Sequence, residues 1–181
     1  MPETLRTARL ELEPWSEAAT RLFRALATTP AVVRYIGDGR TWSDVKIQDV
    51  AVHNHEHWRR HGFGWRLARL SASGEAVGFI ALSFAGAGSG VDPDAYEIGW
   101  WLAPATWGQG LGREGAVALR EEAFERLTAP GILARIQPEN APSLAVARAL
   151  GLTADGETSG RTGERISVLS LSEAGWRALP R

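Results

Sequence analysis

The sequence predicts a mixed α/β fold: one mixed sheet with helices packed on its faces. Segments with a two-residue apolar period and segments of helical period follow one another in the order β-α-α-β-β-β-α-β-α-β-β. The 181 residues are 44% hydrophobic and 23% charged, which suits a single domain with a sizeable core over residues 1–181. No internal repeat, linker or low-complexity segment divides them.

Arg9 to Trp15, "RLELEPW", alternates apolar and polar residues and predicts a half-buried strand. Ser16 stands ready to cap an amphipathic helix through Ala27, with Leu22, Phe23 and Leu26 as apolar anchors and Pro30 beyond its end. "AVVRYIGDG" fits neither period, and its glycines make its end a loop. Ser43 caps a second helix, Asp44 to about His61, which Gly62 stops. "FGWRLARLS" and "AVGFIALSF" are two strands, and the "ASGE" between them, with Ser73-Gly74 at its centre, makes a β-hairpin. A loop over Ala85 to Asp94 leads to the strand "AYEIGWWL", Ala95 to Leu102. A glycine-rich loop then opens a helix from about Gly110 to Leu127. Val117, Phe124 and Leu127 form its inner face with Ala116, Leu119 and Ala123 at the edge. Arg120, Glu121, Glu122, Glu125 and Arg126 take its water side. Pro130-Gly131 breaks this helix, and "GILARIQ" is the next strand. Asn140 caps a helix through Leu150, closed by Gly151. Two last strands, Leu152 to Glu157 and Arg165 to Leu171, flank "TSGRTG".

Composition excludes several function classes. Lys and Arg number 20 against 21 Asp and Glu, a net charge of -1, so no broad attraction to nucleic acid or an anionic membrane is expected. The absence of cysteine excludes disulfides, thiol nucleophiles and cysteine-ligated metal, and fits a reducing, cytoplasmic location. "MPETLRTARLELEPW" has no apolar signal-peptide core and reads as mature protein. The longest uncharged stretch, Ala76 to Val91, is too short to cross a bilayer and is broken by glycines.

Chemistry concentrates in "PATWGQGLGREGA", Pro104 to Ala116. A strand, a glycine turn and a helix make an anion site, because the first helical N–H groups lack carbonyl partners and the helix dipole adds positive potential. A phosphate or pyrophosphate is the natural guest. A glycine turn that only lets the helix pack is the alternative, and the glycines alone do not separate the two. "GLGREG", Gly110 to Gly115, also matches the dinucleotide fingerprint G-x-G-x-x-G, with Glu139 roughly 20 residues on where a ribose-binding acid would stand. Against that reading, "APATWGQ" separates the first glycine from the strand, and a hairpin precedes the unit instead of an alternating β-α array.

"WGQGLG" resembles the Q/R-x-x-G-x-G/A motif of the GNAT superfamily of acyl-CoA-dependent N-acyltransferases, with Trp107 as in its ribosomal-protein N-terminal acetyltransferase-like branch. "LRTARLELEPW" resembles that branch's L-x-T-x-R-L-x-L-R-P opening, with Glu13 in place of the usual Arg. "EIGWWLAPATWGQGLG" and "ENAPSLAVARALGL" resemble two further segments in the same order. The resemblance implies a GNAT-like six- to seven-stranded, mostly antiparallel sheet with helices on both faces. It implies acetyl-CoA as co-substrate and direct transfer to a primary amine; no metal is expected, because the chain has no cysteine and no second histidine-rich segment to complete a site. The CoA pyrophosphate is expected on the N–H groups around Gln109, Gly110, Leu111, Gly112 and Arg113, with Trp107 and Gly108 beside them. The pantetheine arm is expected along Trp101, Leu102 and Ala103, where the strands on either side of the helix splay apart.

An amine attacking a thioester must lose a proton, and the departing thiolate gains from a donor. Glu97, which interrupts an apolar strand, is the candidate base; the alternative is a carboxylate on a wet sheet face. Many family members carry a Tyr acid where this chain has Ala147, so Ser143 becomes the candidate acid, or else merely a first-turn serine. Asn140 either only caps its helix or also bonds the pantetheine. His53, His57 and His61 share one helix face, but the outer two stand about 12 Å apart along the axis, too far to share one ion. Trp42, Trp101 and Trp107 are the tryptophans expected near a ligand, and Gly37 to Trp42 and Ala85 to Asp94 the acceptor loops. The acceptor is a small-molecule or peptide amine, and exposed sheet edges allow a homodimer. A CoA-binding sensor without turnover and a dinucleotide-binding enzyme are the competing readings.

Overall fold

The computed structural model describes residues 3–180. Residues 1, 2 and 181 of the expected 1–181 domain lie outside the described residues. One eight-stranded sheet has the order β1-β2-β3-β4-β5-β6-β8-β7. Its strands are β1 (Leu5–Arg6), β2 (Leu10–Pro14), β3 (Arg66–Leu70), β4 (Ala76–Phe84), β5 (Tyr96–Leu102), β6 (Gly131–Ile136), β7 (Thr153–Ser159) and β8 (Arg165–Ser172). Every neighbouring pair is antiparallel except β5 with β6. The expected count of six to seven strands is short by β1, a two-residue strand whose return turn is pinned by Thr7 N–H to Leu10 O (2.9 Å) and Leu10 N–H to Thr7 Oγ1 (2.9 Å). So short a strand carries no readable period.

Helices α1 (Glu17–Ala27) and α3 (Asp44–His61), with the short α2 (Pro30–Val33), cover one face. Phe23, Leu26, Ile47, Ala51, Leu67 and Phe79 form that core. Helices α4 (Leu111–Glu121), α5 (Ala141–Ala149) and α6 (Glu173–Arg177) cover the other, over Leu10, Leu12, Ile80, Leu82, Ile98 and Leu169. Both α2 and α6 were unforeseen; at four and five residues they are too short for helical periodicity to show. By contrast α3 has its expected bounds, because both ends carry signals. Ser43 Oγ accepts from Lys46 N–H at 3.3 Å, and Gly62 closes the helix at φ 70°.

The helix expected over residues 110–127 is corrected. Beyond Glu121 it widens into a π-turn, Glu122–Arg126. The buried face of α4, Leu111, Gly112, Gly115, Ala116 and Leu119, keeps the ordinary helical period and runs on to Ala123, so Ala116, Leu119 and Ala123 are fully buried instead of marginal. The same face carries Glu122, expected in water, into the interior at 6% exposure. There Glu122 receives Arg66 Nη2 at 2.6 Å and Nε at 3.2 Å, and Arg126 Nη2 at 2.6 Å. Arg66 also donates to Glu3 O and Leu12 O and lies 4.9 Å from the Trp58 ring.

His57 is buried and tied at both ring nitrogens, to Phe63 O (2.8 Å) and to Phe84 N–H (3.4 Å). The carbonyl needs a donor and the amide an acceptor, so the ring is neutral with its proton on Nδ1. It joins α3 to the ends flanking β3 and β4. Burial lowers its pKa, the Phe63 carbonyl bond opposing, His61 and His53 adding to the fall. Among the described residues no group of three or more metal-ligating side chains comes together, and no helix is long and apolar enough to cross a membrane.

Two outcomes are expected. Glu122→Ala leaves Arg66 buried without its anion and should cost about 3–5 kcal/mol in urea unfolding, while Arg66→Met with Glu122→Leu recovers most of it. Because folded His57 holds its proton less tightly than the unfolded chain, stability should fall as pH drops through the ordinary histidine value of about 6.5 and level off below the folded value. His57→Phe should lose stability at pH 8 yet show a flatter profile, measured by denaturant midpoints from pH 8 to 5.

Candidate active site

Strand β5 pairs with β6 only at Tyr96↔Ile132 and Glu97↔Leu133. Beyond Glu97 the two strands separate, although β4 pairs with β5 all the way to Leu102. The Ala103 N–H to Val77 O bond (2.8 Å) fixes the alternation: odd-numbered N–H groups of β5 point to β4 and even-numbered ones to the β6 side. Trp100 and Leu102 therefore present backbone groups to the opening. Leu102 O accepts from Trp107 Nε1 at 2.8 Å, which ties the glycine loop to the strand end. Trp107 itself stays 48% exposed.

The loop runs through a 3-10 turn, Pro104–Thr106, and then Gly108 (φ 73°) and Gly110 (φ 77°), both left-handed positions that favour glycine. Gly108, Gln109 and Gly110 N–H groups make no bond within the described residues. The first backbone bond of α4 is Glu114 N–H to Gly110 O at 3.0 Å, so Leu111, Gly112 and Arg113 also lack helical acceptors. Six successive donors thus open at one end of a helix. Gly112 and Gly115 play a different part: a Cβ on Gly112 would stand 3.4 Å from Leu102 Cδ1, and one on Gly115 2.5 Å from Ile80 Cγ1. Gly115 lets α4 lie against the sheet, whereas a Cβ on Gly112 would only touch it. The "GLGREG" match is therefore a left-handed loop glycine, a first-turn glycine and one packing glycine, Gly115, in a sheet that is mostly antiparallel.

A clamp from the N-terminal strands holds this loop, and sequence reasoning gave its residues no role. Glu114 Oε1 accepts from Thr7 Oγ1 (2.6 Å) and Arg9 N–H (2.7 Å), and Oε2 from Arg9 Nε (2.7 Å). Arg9 Nη1 also donates to Gln109 O at 2.9 Å. These donors, together with the charge of Arg9, hold the Glu114 pKa low against the opposing effect of burial.

Glu97, Gly99 and Trp101 face the α1/α3 side of the sheet. Glu97 is 22% exposed at its side chain and receives Arg135 Nη2 at 3.0 Å across the point where strand pairing stops. Burial raises the Glu97 pKa; Arg135, by charge and hydrogen bond, and Arg161, by charge, pull it back. Gly99 leaves the strand bare between Glu97 and Trp101, where a Cβ would meet only Ala81 at 3.8 Å. Trp101 packs against Trp42, ring centroids 5.2 Å apart. On the other face, Ser143 Oγ accepts from Trp100 Nε1 at 3.2 Å. Asn140 caps α5, its Oδ1 accepting from Ser143 N–H at 3.3 Å. Ala147, at the position of the family's Tyr, is fully buried in the core. The Glu97 and Ser143 side chains thus flank the opening from opposite faces. An open groove of about 800 Å³ between α5 and the β7–β8 hairpin is lined by Pro138, Leu144, Arg148 and Val168 among others, and by none of these site residues.

The profile of the Acetyltransferase (GNAT) domain matches residues 9–153. The FsC-acetyl coenzyme A-N(2)-transacetylase of Aspergillus fumigatus is 31% identical over 161 residues. The match takes in 83% of this chain but only 65% of that protein, so the chain spans just under two thirds of its length. A crystal structure of an acetyltransferase from Agrobacterium tumefaciens superimposes with a TM-score of 0.79 at 30% identity, covering 93% of this chain and 94% of that one. A ribosomal L7/L12 alpha-N-protein acetyltransferase solved with coenzyme A superimposes with a TM-score of 0.73, covering 94% and 98%; at 18% identity it shares the fold.

The clamp on Glu114 can be tested directly. Glu114→Ala should weaken coenzyme A binding about tenfold in calorimetric titration, because the free N–H groups lose their fixed convergence. Urea unfolding of the same variant separates loosening of the loop from loss of the fold.

Proposed function

The chain belongs to the GNAT acetyltransferase family, and from that premise we propose that it is an acetyl-CoA-dependent N-acetyltransferase forming one domain over residues 1–181. One observation carries the reading: the run of free N–H groups at the start of α4 lies next to a strand edge that opens at Glu97. The pyrophosphate sits on the donors of Gly108 to Arg113, and the pantetheine arm follows Leu102 and Trp100 into the opening. Its thioester then reaches the region between Glu97 and Ser143.

Glu97 takes the proton of the incoming amine. The nitrogen forms its bond to the acetyl carbon, backbone N–H groups of the open β5 edge stabilise the oxyanion, and the carbon–sulfur bond breaks. The indole of Trp100 can only donate, so Ser143 Oγ is its acceptor and the Ser143 proton is free for the departing sulfur. A thiol pKa near 8.5 makes this demand modest, and a hydrogen bond meets it. Asn140 positions Ser143 through the helix cap. The acceptor is a small-molecule or peptide amine. The proposal includes a cytoplasmic location and a homodimer, for which the exposed edge strand β7 is available.

Titration with acetyl-CoA, coenzyme A and NADH in parallel tests the premise; saturable, stoichiometric acetyl-CoA binding without NADH binding is expected. Glu97→Gln should lower kcat by about 10²–10⁴ with acetyl-CoA affinity nearly unchanged. The acid limb of kcat/KM should follow Glu97, rising with pH as its carboxyl ionises. Arg135→Met removes the group that pulls that pKa down, so the limb should move to higher pH. A limb that stays in place would remove Glu97 from the role of base.

A further inference from the structure

Among the described residues two buried side-chain polar atoms lack a hydrogen-bond partner, Trp42 Nε1 and Arg135 Nε. Both are donors, and both lie on the α1/α3 side of the sheet, where Glu97 and Trp101 face. Arg135 is nine-tenths buried; its Nη1 is bonded to Ser89 O (2.9 Å) and its Nη2 to Glu97.

Three loops meet around these atoms. Arg161 Nη2 donates to Ala85 O at 2.6 Å, bringing the β7–β8 loop to the loop before β5. Gln137 Nε2 donates to Gly37 O at 2.8 Å, bringing the loop before α3 to the end of β6. A Cβ on Gly37 would stand 3.5 Å from Thr162 Oγ1, so these loops also touch. Lys46 Nζ lies 3.8 Å from the centre of the Trp42 ring. Partial burial lowers its pKa; Asp38 and Glu164 oppose this by charge, and Arg161 adds to the fall.

Several donors here are unspent, while one oxygen of each neighbouring carboxylate is already engaged. Glu164 Oε2 is taken by Thr162 N–H (2.9 Å) and Oγ1 (2.6 Å), and Asp38 Oδ1 by Arg40 N–H (3.1 Å). Glu97 Oε2 is taken by Arg135. Lys46 makes no side-chain hydrogen bond or ion pair with any described residue, and Arg161 makes one bond, to a carbonyl. Arg guanidinium carries five N–H donors and Lys ammonium three. A ligand that fits such a place brings acceptor oxygens and negative charge. A polycation would meet Lys46 and Arg161 as like charges.

We propose that the acceptor is an amine bearing an oxyanion, a carboxylate or phosphate, which Lys46 and Arg161 bind with help from the Trp42 and Arg135 N–H groups while the amine reaches Glu97. The proposal rests on the acetyltransferase reading and names the acceptor class of that same site. Ala81 and Gly99 form the bare floor between the aromatic wall and the carboxylate.

Matched amines test it. Lysine against cadaverine, alanine against alaninamide, and O-phosphoethanolamine against ethanolamine differ in the anionic group, and spermidine supplies the polycation. Each is assayed for coenzyme A release from acetyl-CoA and titrated into the protein saturated with coenzyme A. At least one oxyanion-bearing amine should exceed its partner about tenfold or more in kcat/KM, chiefly through KM. The carboxylate and phosphate pairs tell which oxyanion is preferred. Lys46→Met with Arg161→Met should bring that ratio close to one by raising KM for the anionic amine, with acetyl-CoA affinity as the check on folding. Preference for the partners that lack the anionic group or for spermidine, a ratio unmoved in the double variant, or no binding of any oxyanion-bearing amine up to about 10 mM overturns the proposal. If acetyl-CoA binds in those cases, the acetyltransferase reading stands without it; a protein that binds no acetyl-CoA overturns both.

Discussion

Backbone pairing between β5 and β6 ends at Glu97 and Leu133, and the Glu97–Arg135 salt bridge spans the place where it ends. An unpaired buried backbone group costs about 1–3 kcal/mol, so a gap between neighbouring strands persists where water or a ligand can supply the missing partners. The opening turns the edge of β5 into a row of available donors and acceptors. It places one polar side chain on each side of the sheet, Glu97 above and Ser143 below. The loop that follows β5 then delivers the start of α4 to the mouth of the same gap, with Trp107 fastened to Leu102 O. If the two strands zipped to their full length, the donors would be consumed and Glu97 would become a residue between two packed strands.

The charges on the two faces do different work. Arg66 and Glu122 are sealed in the interior, at 2% and 6% exposure, and every bond they make is to the protein itself. They join β3 to the π-turn and fix how far α4 extends over the sheet. Arg135 and Glu97 meet at the edge of solvent, and Arg135 retains an unmatched N–H. A sealed pair fixes structure, whereas a pair with one donor left over has capacity for a further group. His57 belongs with the first kind, since both of its nitrogens are already engaged by backbone.

Sequence signals recovered what is local. Caps at Ser43, Gly62 and Asn140 placed α3 and α5, and the near-continuous apolar run "AVGFIALSF" after the "ASGE" turn placed β4 at its observed bounds. Left-handed glycines and a helix start made the anion loop readable, and an acidic residue in an apolar strand singled out Glu97. The inner face of α4 was misjudged because the residues that pack closest to the sheet there include small ones, Gly115, Ala116 and Ala123, which signal less strongly than Val117, Phe124 and Leu127. Arg135, Lys46 and Arg161 carried no signal, because what gives them meaning is proximity to residues far away in the chain. Thr7 and Arg9 are similar: they stood inside a recognisable opening motif, but their common partner lies more than a hundred residues on.

That distance has a consequence for how the chain matures. The strands β1 to β5 neighbour one another in chain order, with α1 to α3 inserted between β2 and β3, so the sheet can grow strand by strand as the polypeptide emerges during synthesis. Thr7 and Arg9 reach the exit early and then wait for Glu114, which follows Arg9 by 105 residues. At about 5–20 residues per second this is an interval of roughly 5–20 s. Throughout it, an arginine and a threonine destined for one carboxylate are exposed beside a nascent sheet without their partner. The glycine-loop end of the molecule is thus assembled from the oldest and some of the younger parts of the chain, and its two halves meet only after the strands β1 to β5 between them have been made.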